Sequence, residues 1–261
     1  MKTRIFTERR RFKESSILFK SEKREAISAA ISTIIVHRME LETYVALYPK
    51  FRYALSPITI EVKAPRIVKL IAESTVSFNI GPMAAVAGVL ADLAVEAILN
   101  AGAKIAIVEN GGEISASSNE PFTIVLHTGK NILSNRIGFQ INPSECPIGV
   151  ATSSATVGHA ITFGEADSVT VIADTAGLAD GAATAICNSV RGKDIEASIQ
   201  KGLEFAKKIR SIIRGTLIVR GEYVGSIGNI PQLIRVKKGL DLSKVLLIEF
   251  PRPECINNKL S

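Results

Sequence analysis

The feature that most constrains the fold is the stretch GPMAAVAGVLAD at residues 81–92. Gly81-Pro82 predicts the start of a long helix, because glycine and proline commonly mark such a boundary. The glycines and alanines leave one face of this helix almost bare, so another backbone or a flat ligand can approach closely. Asp92 lies four residues after Gly88 and therefore on the same face. The pattern leaves open whether Asp92 contacts a ligand or solvent.

The remaining hydrophobic periodicity predicts alternating strands and helices in a chain of 261 residues, of which 46% are hydrophobic. We expect an α/β (α+β) fold with mixed sheets and packed helices, as a single domain over 1–261 with a motif-bearing core at about 78–190. Helices are predicted at 22–46, 66–75, 81–100, 177–190 and 194–213, and a linker between Pro49 and Pro57. Strands are predicted in a hairpin over 3–20, in an antiparallel meander over 114–142, and at 104–108, 168–173, 216–219, 223–227 and 245–250.

Composition excludes several classes of protein. Aromatic residues make up only 5% and Trp is absent, which argues against a nucleic-acid surface that stacks bases. The apolar stretch 81–99 contains Asp92 and Glu96, which argues against a membrane helix. Three widely spaced cysteines and a basic N-terminus without an apolar run favour a cytoplasmic location. We therefore expect no nucleic-acid or membrane partner, and homo-oligomerisation is left open.

Charge is unevenly distributed along the chain. Residues 71–195 carry 12 acidic and 5 basic side chains, whereas both flanks are basic. An acidic centre with basic flanks suits a divalent cation and an anionic ligand. The alternative is a solvated surface of uneven charge.

The motif Glu109-Asn110-Gly111-Gly112-Glu113 follows a predicted buried strand. Loops at the carboxyl ends of strands often form the ligand crevice of α/β sheets. Paired glycines permit positive φ and a close backbone approach. The two flanking carboxylates suit acid–base chemistry, and the alternative is a charged turn.

The segment ATSSATVGH at residues 151–159 concentrates small hydroxyl side chains before a glycine and a histidine. We interpret it as a loop that wraps phosphate or ribose oxygens, although no Walker pattern follows. A hydroxyl-rich turn without a ligand is the alternative. His159 is a candidate for proton transfer or hydrogen bonding to phosphate, against a purely structural role. The hydroxyl candidates are Thr152, Ser153, Ser154 and Thr156.

The fourth motif, ADTAGLADGAATA at residues 173–185, places Asp180 and Thr184 four residues apart near the start of a helix. Their oxygens therefore lie on one face. A carboxylate and a hydroxyl beside a bound phosphate suit Mg²⁺, which prefers oxygen ligands. The alternative is a capped helix with a small packing face.

In this order the motifs resemble those of the ApbE superfamily, the FAD-dependent protein flavin transferases. The resemblance covers roughly residues 78–190. It is closer to an uncharacterised ApbE-like branch common in archaea, with which the similarity extends over about 10–200. The matching segments are Gly88 to Asp92, Asn110 to Glu113, Ala151-Thr152-Ser153, His159, Ser168 to Ala173, Ala179-Asp180 and Thr184-Ala185.

This resemblance implies a bilobed fold that binds FAD, and Mg²⁺ held by Asp180, Thr184 and a backbone carbonyl near Val86. It implies transfer of FMN to a Ser or Thr of an acceptor protein, with His159 assisting proton transfer. The expected cofactor-binding residues are Gly88, Asp92, Asn110, Gly111, Gly112, Glu113, Thr152, Ser153, Ser154 and Thr156.

Three departures from the transferase pattern bear on activity. Ala87 stands where the transferases carry a Lys, the segment after His159 differs, and the stretch from the Thr-Ser pair to the next strand is shorter. The lipoprotein signal of the exported transferases is also missing. The leading hypothesis is an enzyme that performs FMN transfer or FAD hydrolysis. The alternatives are a non-catalytic flavin or nucleotide carrier, a different enzyme acting on an anionic small molecule, and a scaffold without a ligand.

Overall fold

A computed structural model describes residues 3–13, 15–128, 133–155 and 163–235. Within those ranges the chain forms eleven strands in two antiparallel sheets and six α-helices, which confirms the predicted α/β class. In chain order the elements are β1 (Phe6–Phe12), β2 (Ser15–Ser21), α1 (Arg24–Leu47), α2 (Pro49–Tyr53), α3 (Arg66–Val76), α4 (Val86–Asn100), β3 (Ile105–Asn110), β4 (Glu113–Ser118), β5 (Phe122–Val125), β6 (Ile137–Ile141), β7 (Ile148–Ser153), β8 (Ser168–Ala173), α5 (Ala176–Ser189), α6 (Ile195–Lys208), β9 (Gly215–Arg220), β10 (Tyr223–Gly228) and β11 (Gln232–Arg235).

The chain divides into two compact units. Unit 1 comprises residues 1–119, 147–151 and 173–185, and unit 2 comprises 120–146, 152–172 and 186–261. Every motif residue of the two small-residue helices up to Ala185 therefore belongs to unit 1.

In unit 1 the strands lie in the order β1-β2-β3-β4-β7, and neighbouring strands in this order are antiparallel. Strand β2 alternates, so that Ile17 and Phe19 are fully buried against helices while their neighbours face the other side. Helix α1 buries the face that carries Ala30 and Ile34. The core of this unit is thus a sheet covered by α1, α3 and α4.

Helix α4 follows a short 3₁₀ turn at Pro82–Ala85, and Gly102, with φ of 76°, follows its end. The stretch Pro82–Asn100 is long and apolar enough to cross a membrane on length and composition alone. In the described part of the chain, 56% of its most apolar window is buried, which is what a core helix gives as well. Small residues account for this burial, because they allow the helix to pack closely.

In unit 2 the strands lie in the orders β8-β9-β10 and β11-β6-β5. The amphipathic helix α6 begins at Asp194, whose carboxylate accepts the N–H of Ala197 at 3.0 Å. Gly221, with φ of 60°, sits in the turn between β9 and β10. This confirms the predicted hairpin.

Two local predictions need correction, and one strand was not predicted. The meander over 114–142 is wrong, because β4 pairs with β3 and β7, whereas β5 pairs with β6 in the smaller sheet. The linker after Pro49 contains the short helix α2, since proline at the first helical position is compatible with a helix. Strand β11 was not predicted, and the predicted strand 245–250 lies outside the described residues.

Candidate functional site at the start of helices α4 and α5

The glycines of the two small-residue helices are packing residues. A Cβ atom on Gly88 would lie 2.3 Å from the carbonyl oxygen of Ala176, and one on Gly177 would lie 2.7 Å from Ser74 Oγ. Both distances are far below a van der Waals contact, so only glycine allows this approach. The start of α5 therefore packs against the bare face of α4. Of the two possibilities that the sequence left open at Gly88, another backbone occupies this position.

Asp92 of α4 caps helix α5. Its Oδ1 accepts the N–H of Ala176 at 2.9 Å, and its Oδ2 accepts the N–H of Gly177 at 2.8 Å. The side chain of Ser115 also hydrogen-bonds to this carboxylate, and burial raises the pKa of Asp92 above its ordinary value. Free N–H groups at a helix start attract a carboxylate. The sequence left open whether Asp92 contacts a ligand or solvent, and in the structure both of its oxygens accept protein N–H groups. Cofactor binding by Asp92 stays a prediction.

Asp180 of α5 caps helix α4 in return. Its Oδ2 accepts the N–H of Gly88 at 3.0 Å, within the first turn of α4. Each helix thus supplies an aspartate to the N-terminus of the other. Because this exchange fixes where each helix begins, it holds Asp180 next to residues 86–88.

The motif at residues 109–113 is a β-hairpin turn between β3 and β4, in which Asn110 pairs with Glu113. Gly111 and Gly112 have φ of 74° and 120°, as the paired glycines predicted. Strands β3 and β4 are antiparallel, so this turn is not part of a ligand crevice formed at the carboxyl ends of parallel strands. The motif nevertheless meets α4, since Asn110 Nδ2 donates to the carbonyl oxygen of Ala87 at 3.0 Å.

Three carboxyl groups surround the start of α4. Burial, reinforced by the charge of Asp92, raises the pKa of Asp180 to about 7, although the N–H of Gly88 opposes the shift. Burial and the charge of Asp180 raise the pKa of Glu113 well above its ordinary value. Among the described residues, no Lys or Arg forms a salt bridge with Asp92, Glu113 or Asp180. Burial therefore favours the protonated forms of Glu113 and Asp180, because no basic side chain among the described residues stabilises their ionised forms.

The predicted metal ligands lie on these same two helices. Asp180 is only partly buried, Thr184 follows it by one helical turn, and Val86 is the first residue of α4. In the described ranges, no group of three or more His, Cys, Asp or Glu side chains forms a metal-binding cluster. A cation here would need hydroxyl, carbonyl or water oxygens besides Asp180, and the Mg²⁺ assignment stays a prediction.

The hydroxyl-rich segment is only partly a loop. Thr152 and Ser153 belong to strand β7, and the Thr152 hydroxyl pairs with that of Thr170 at 2.9 Å. The loop prediction is therefore wrong for residues 151–153, because their β-branched and small side chains continue a buried strand. Ser154 follows the strand and is partly buried. Thr156 and His159 lie outside the described residues, so their roles stay predictions.

Sequence reasoning missed Ser115 and the carbonyl oxygen of Ala87. Ser115 is buried on β4, where it reaches Asp92. The available signal is the pattern ISASS after Glu113, in which a small polar residue occupies a buried strand position. A buried hydroxyl requires a partner, and that requirement points to a nearby carboxylate.

Known proteins match this chain over a range that includes all of these segments. A family model described as AbpE bacteria matches residues 10–221. The chain is 42% identical over 236 residues to a UPF0280 protein of Methanococcus vannielii, covering 90% of this chain and 95% of that protein. It is 39% identical over 242 residues to a UPF0280 protein of Methanocaldococcus jannaschii, covering 92% and 98%.

Two solved structures share the fold. The apo form of the flavinyl transferase ApbE of Pseudomonas stutzeri aligns with a TM-score of 0.52 and 14% identity, over 87% of this chain and 96% of that one. The flavin transferase ApbE of Vibrio cholerae aligns with a TM-score of 0.52 and 12% identity, over 86% and 96%. These alignments confirm the expected ApbE-like architecture, and identity this low shows the fold alone.

Proposed function

This chain belongs to the AbpE bacteria family, together with the archaeal UPF0280 proteins, and on that premise we propose that it performs Mg²⁺-dependent chemistry on a flavin nucleotide. The specific form is FMN transfer to an acceptor protein or hydrolysis of FAD. The two structural relatives are flavin transferases by name, which supports a flavin as the ligand class.

The observation that carries the proposal is a group of acids near the start of α4 without a basic partner. Asp92, Glu113 and Asp180 interact electrostatically, and within the described residues no cationic side chain pairs with them. A structural cluster of buried acids would ordinarily include a Lys or Arg, whereas Glu113 and Asp180 have raised pKa values that favour their protonated forms. A bound divalent cation would favour the ionised forms and take the place of the missing basic partner.

The chemistry of the donors fits Mg²⁺. Asp180 keeps a solvent-facing side, and Thr184 and the carbonyl of Val86 are the oxygen donors that the family resemblance implies. Oxygen donors with retained waters are what Mg²⁺ prefers. When bound, the cation would offset negative charge on a phosphate leaving group. The protein's own contribution is to hold Asp180 at the start of α4 through the N–H of Gly88.

The mutual capping of α4 and α5 supports a rigid site. Asp92 fixes the first residue of α5, and Asp180 lies four residues further along the same helix. Asn110 holds the Ala87 carbonyl, so the backbone beside Val86 is also tied to β3. A site held by packed helices and hydrogen bonds is preorganised, which favours binding and orientation of a charged group.

One observation favours a second candidate, a flavin or nucleotide binder without catalysis. Ala87 occupies the position where the transferases carry a Lys, and its side chain offers no charge to a phosphate. Loss of one such charge weakens stabilisation of a developing anion more than it weakens binding. His159 as the proton-transfer group remains a prediction of the catalytic candidate. Both candidates predict nucleotide contacts by Gly111, Gly112, Thr152, Ser153 and Ser154.

The test is titration of the purified chain with FAD, with and without Mg²⁺, followed by thermal unfolding and detection of released AMP. AMP is the leaving group in both forms of the reaction, whereas free FMN appears only on hydrolysis, because transfer leaves FMN bound to the acceptor. Binding to the folded state raises the melting temperature by mass action. We expect Mg²⁺-dependent stabilisation and AMP release in the wild type, and loss of both in Asp180→Asn. Glu73→Gln, which changes an exposed acid of α3, is the matched control and should behave as wild type.

The outcomes separate the candidates. Stabilisation by FAD without AMP release, with or without a protein acceptor, would favour the non-catalytic binder. No stabilisation at any Mg²⁺ concentration would contradict both candidates.

A further inference from the structure

The outer face of α1 carries an exposed apolar stripe in unit 1. Val36, Met39, Thr43 and Leu47 recur at helical spacing and lie on the face opposite the buried Ala30 and Ile34. Val36, Met39 and Leu47 are 52%, 63% and 70% exposed. A helix in a lone globular chain normally turns charged or polar residues to this side, so the stripe needs an explanation.

The stripe forms one wall of a groove of about 550 Å³. The opposite wall is formed by Glu61, Lys63, Ala64 and Pro65. Tyr44 and Tyr48 line the groove as well. The two tyrosine rings lie 4.6 Å apart, and the Tyr44 hydroxyl donates a hydrogen bond to the carboxylate of Glu61. The groove is therefore preformed, because its walls are already tied together in this conformation.

The exposed apolar area is large enough for a stable interface. Val36, Met39, Leu47 and Tyr48 expose on the order of 400 Å², taking ~150–200 Å² for the full area of a large side chain. Interfaces are about 57–65% apolar, so this area corresponds to a patch of about 650 Å² with its polar rim. Two such patches bury about 1,300 Å² in total, which lies within the range of about 1,200–2,000 Å² for stable interfaces.

The charges at the rim suit a second copy of the same chain. Glu40 binds His37 at 2.7 Å, and Glu61 accepts from Tyr44, so both carboxylates are engaged on their own chain. Among the described residues, Lys63 forms no salt bridge. A rim that carries both signs does not repel its own copy, whereas a rim of one sign would.

We propose that this chain forms a two-fold symmetric homodimer through the α1 stripe. In such a dimer the two α1 helices run antiparallel, so the middle of the stripe lies at the axis and its ends exchange contacts. Thr43 is the stripe residue nearest the midpoint between Val36 and Leu47, and it is exposed. The interface lies on the face of α1 that points away from the core, so the proposal does not depend on the flavin chemistry.

The first experiment measures mass in solution by analytical ultracentrifugation of the full chain at micromolar concentrations. We expect a dimer for the wild type and a monomer for the Met39→Lys, Leu47→Lys double variant, with at least a 100-fold weaker dimer. Val76→Lys, an exposed apolar position at the end of α3, is the matched control and should remain dimeric. Circular dichroism of each variant establishes that folding is unchanged.

A second experiment locates the axis. Thr43→Cys should form an intermolecular disulfide on mild oxidation, because a residue at a two-fold axis meets its own copy. Glu204→Cys, exposed on α6, should not cross-link. A monomeric wild type, or a dimer unaffected by the double variant, would overturn the proposal; the former would leave the groove to a different protein.

Discussion

Two regions of the molecule treat acidic side chains in opposite ways. In unit 2, Glu165 forms a salt bridge with Arg220, whose guanidinium also donates to Ser198 Oγ at 2.6 Å and to the carbonyl of Gly192 at 2.8 Å. In unit 1, Asp92 and Asp180 receive backbone N–H groups and, within the described residues, no cationic side chain. The first network pairs its acid with a base, whereas burial raises the pKa of the acids in the second, whose ionised forms a bound cation would stabilise.

This difference separates a structural network from a candidate site. Arg220 is mostly buried, and its guanidinium joins Glu165 of one loop to residues preceding and within α6. Its hydrogen bonds follow the rule that a buried charge is paired. The acids at the start of α4 have no such partner among the described residues and have raised pKa values instead, and strongly shifted pKa values concentrate at functional sites.

The largest expected effect is on Mg²⁺ binding. Asp180→Asn should weaken Mg²⁺ binding by about 100-fold, because a carboxylate ligand contributes charge that an amide lacks. Isothermal titration calorimetry measures this. Glu165→Gln, which removes an acid already paired in unit 2, should leave Mg²⁺ affinity unchanged. Equal Mg²⁺ affinity in the wild type and Asp180→Asn would show that the two acidic regions do not differ in this respect.

The second prediction concerns packing. Gly88→Ala should destabilise the protein by about 2.5 kcal/mol, because the added methyl group meets the rigid backbone of Ala176. In unit 2, Gly225→Ala should cost less, about 1–2 kcal/mol, since a Cβ there meets side-chain atoms of Ile199 and Leu203 and no backbone atom. Urea denaturation compares the two. A smaller effect at Gly88 than at Gly225 would argue against a tightly locked α4–α5 junction.

The third prediction tests the completed network. Arg220→Ala should lower the unfolding free energy by about 2 kcal/mol, below the full value for a buried pair because Glu165 remains half exposed. Lys207→Ala, on the exposed face of α6, is the control and should change stability by less than about 0.5 kcal/mol. Chemical denaturation monitored by circular dichroism measures both. If the two variants were equally stable, the Arg220 network would contribute nothing.

The smallest expected effect is the pH dependence of the metal-free protein. The folded pKa of Asp180, about 7, lies above its value in the unfolded chain. The folded state then binds more protons, so stability is highest at acid pH and is lost as pH rises towards 7. Between pH 5.5 and pH 8 we expect a fall of about 1 kcal/mol, reduced by the solvent-facing side of the carboxylate.

Asp180→Asn should flatten this profile, whereas Glu165→Gln should not. Thermal unfolding in metal-free buffer across that pH range measures all three proteins. Identical profiles for the wild type and Asp180→Asn would contradict the raised pKa.

The elements with strong local signals were predictable from sequence. The period of apolar residues indicated α1 and α6, and Pro65 indicated the start of α3. A proline and glycines marked the beginning and end of the α4 region. The hairpins β1–β2 and β9–β10 followed from alternation and turn residues. These predictions succeeded because hydrophobic period and turn chemistry act over a few neighbouring residues.

The candidate site was predictable as a set of residues and not as an arrangement. The motif order pointed to Gly88, Asp92, Asn110, Glu113 and Asp180, which the structure brings to the start of two helices. The structure shows that Gly88 admits the backbone of Ala176 and that Asp92 caps helix α5, while cofactor binding by these residues stays a prediction. Strand partners were likewise unpredictable, as the pairing of β4 with β7 instead of β5 illustrates.

By itself, the sequence determined which segments are helices and strands, and which small and acidic residues they carry. Only the tertiary structure decided that Asp92 reaches Ala176, 84 residues away, and that Asp180 reaches Gly88, 92 residues away. The physical reason is that a cap needs only a carboxylate beside free N–H groups, whatever its position in the chain. Which carboxylate lies beside those N–H groups depends on how α4 and α5 pack. The glycines in the sequence indicate that a close approach is possible, but they do not indicate which segment packs there.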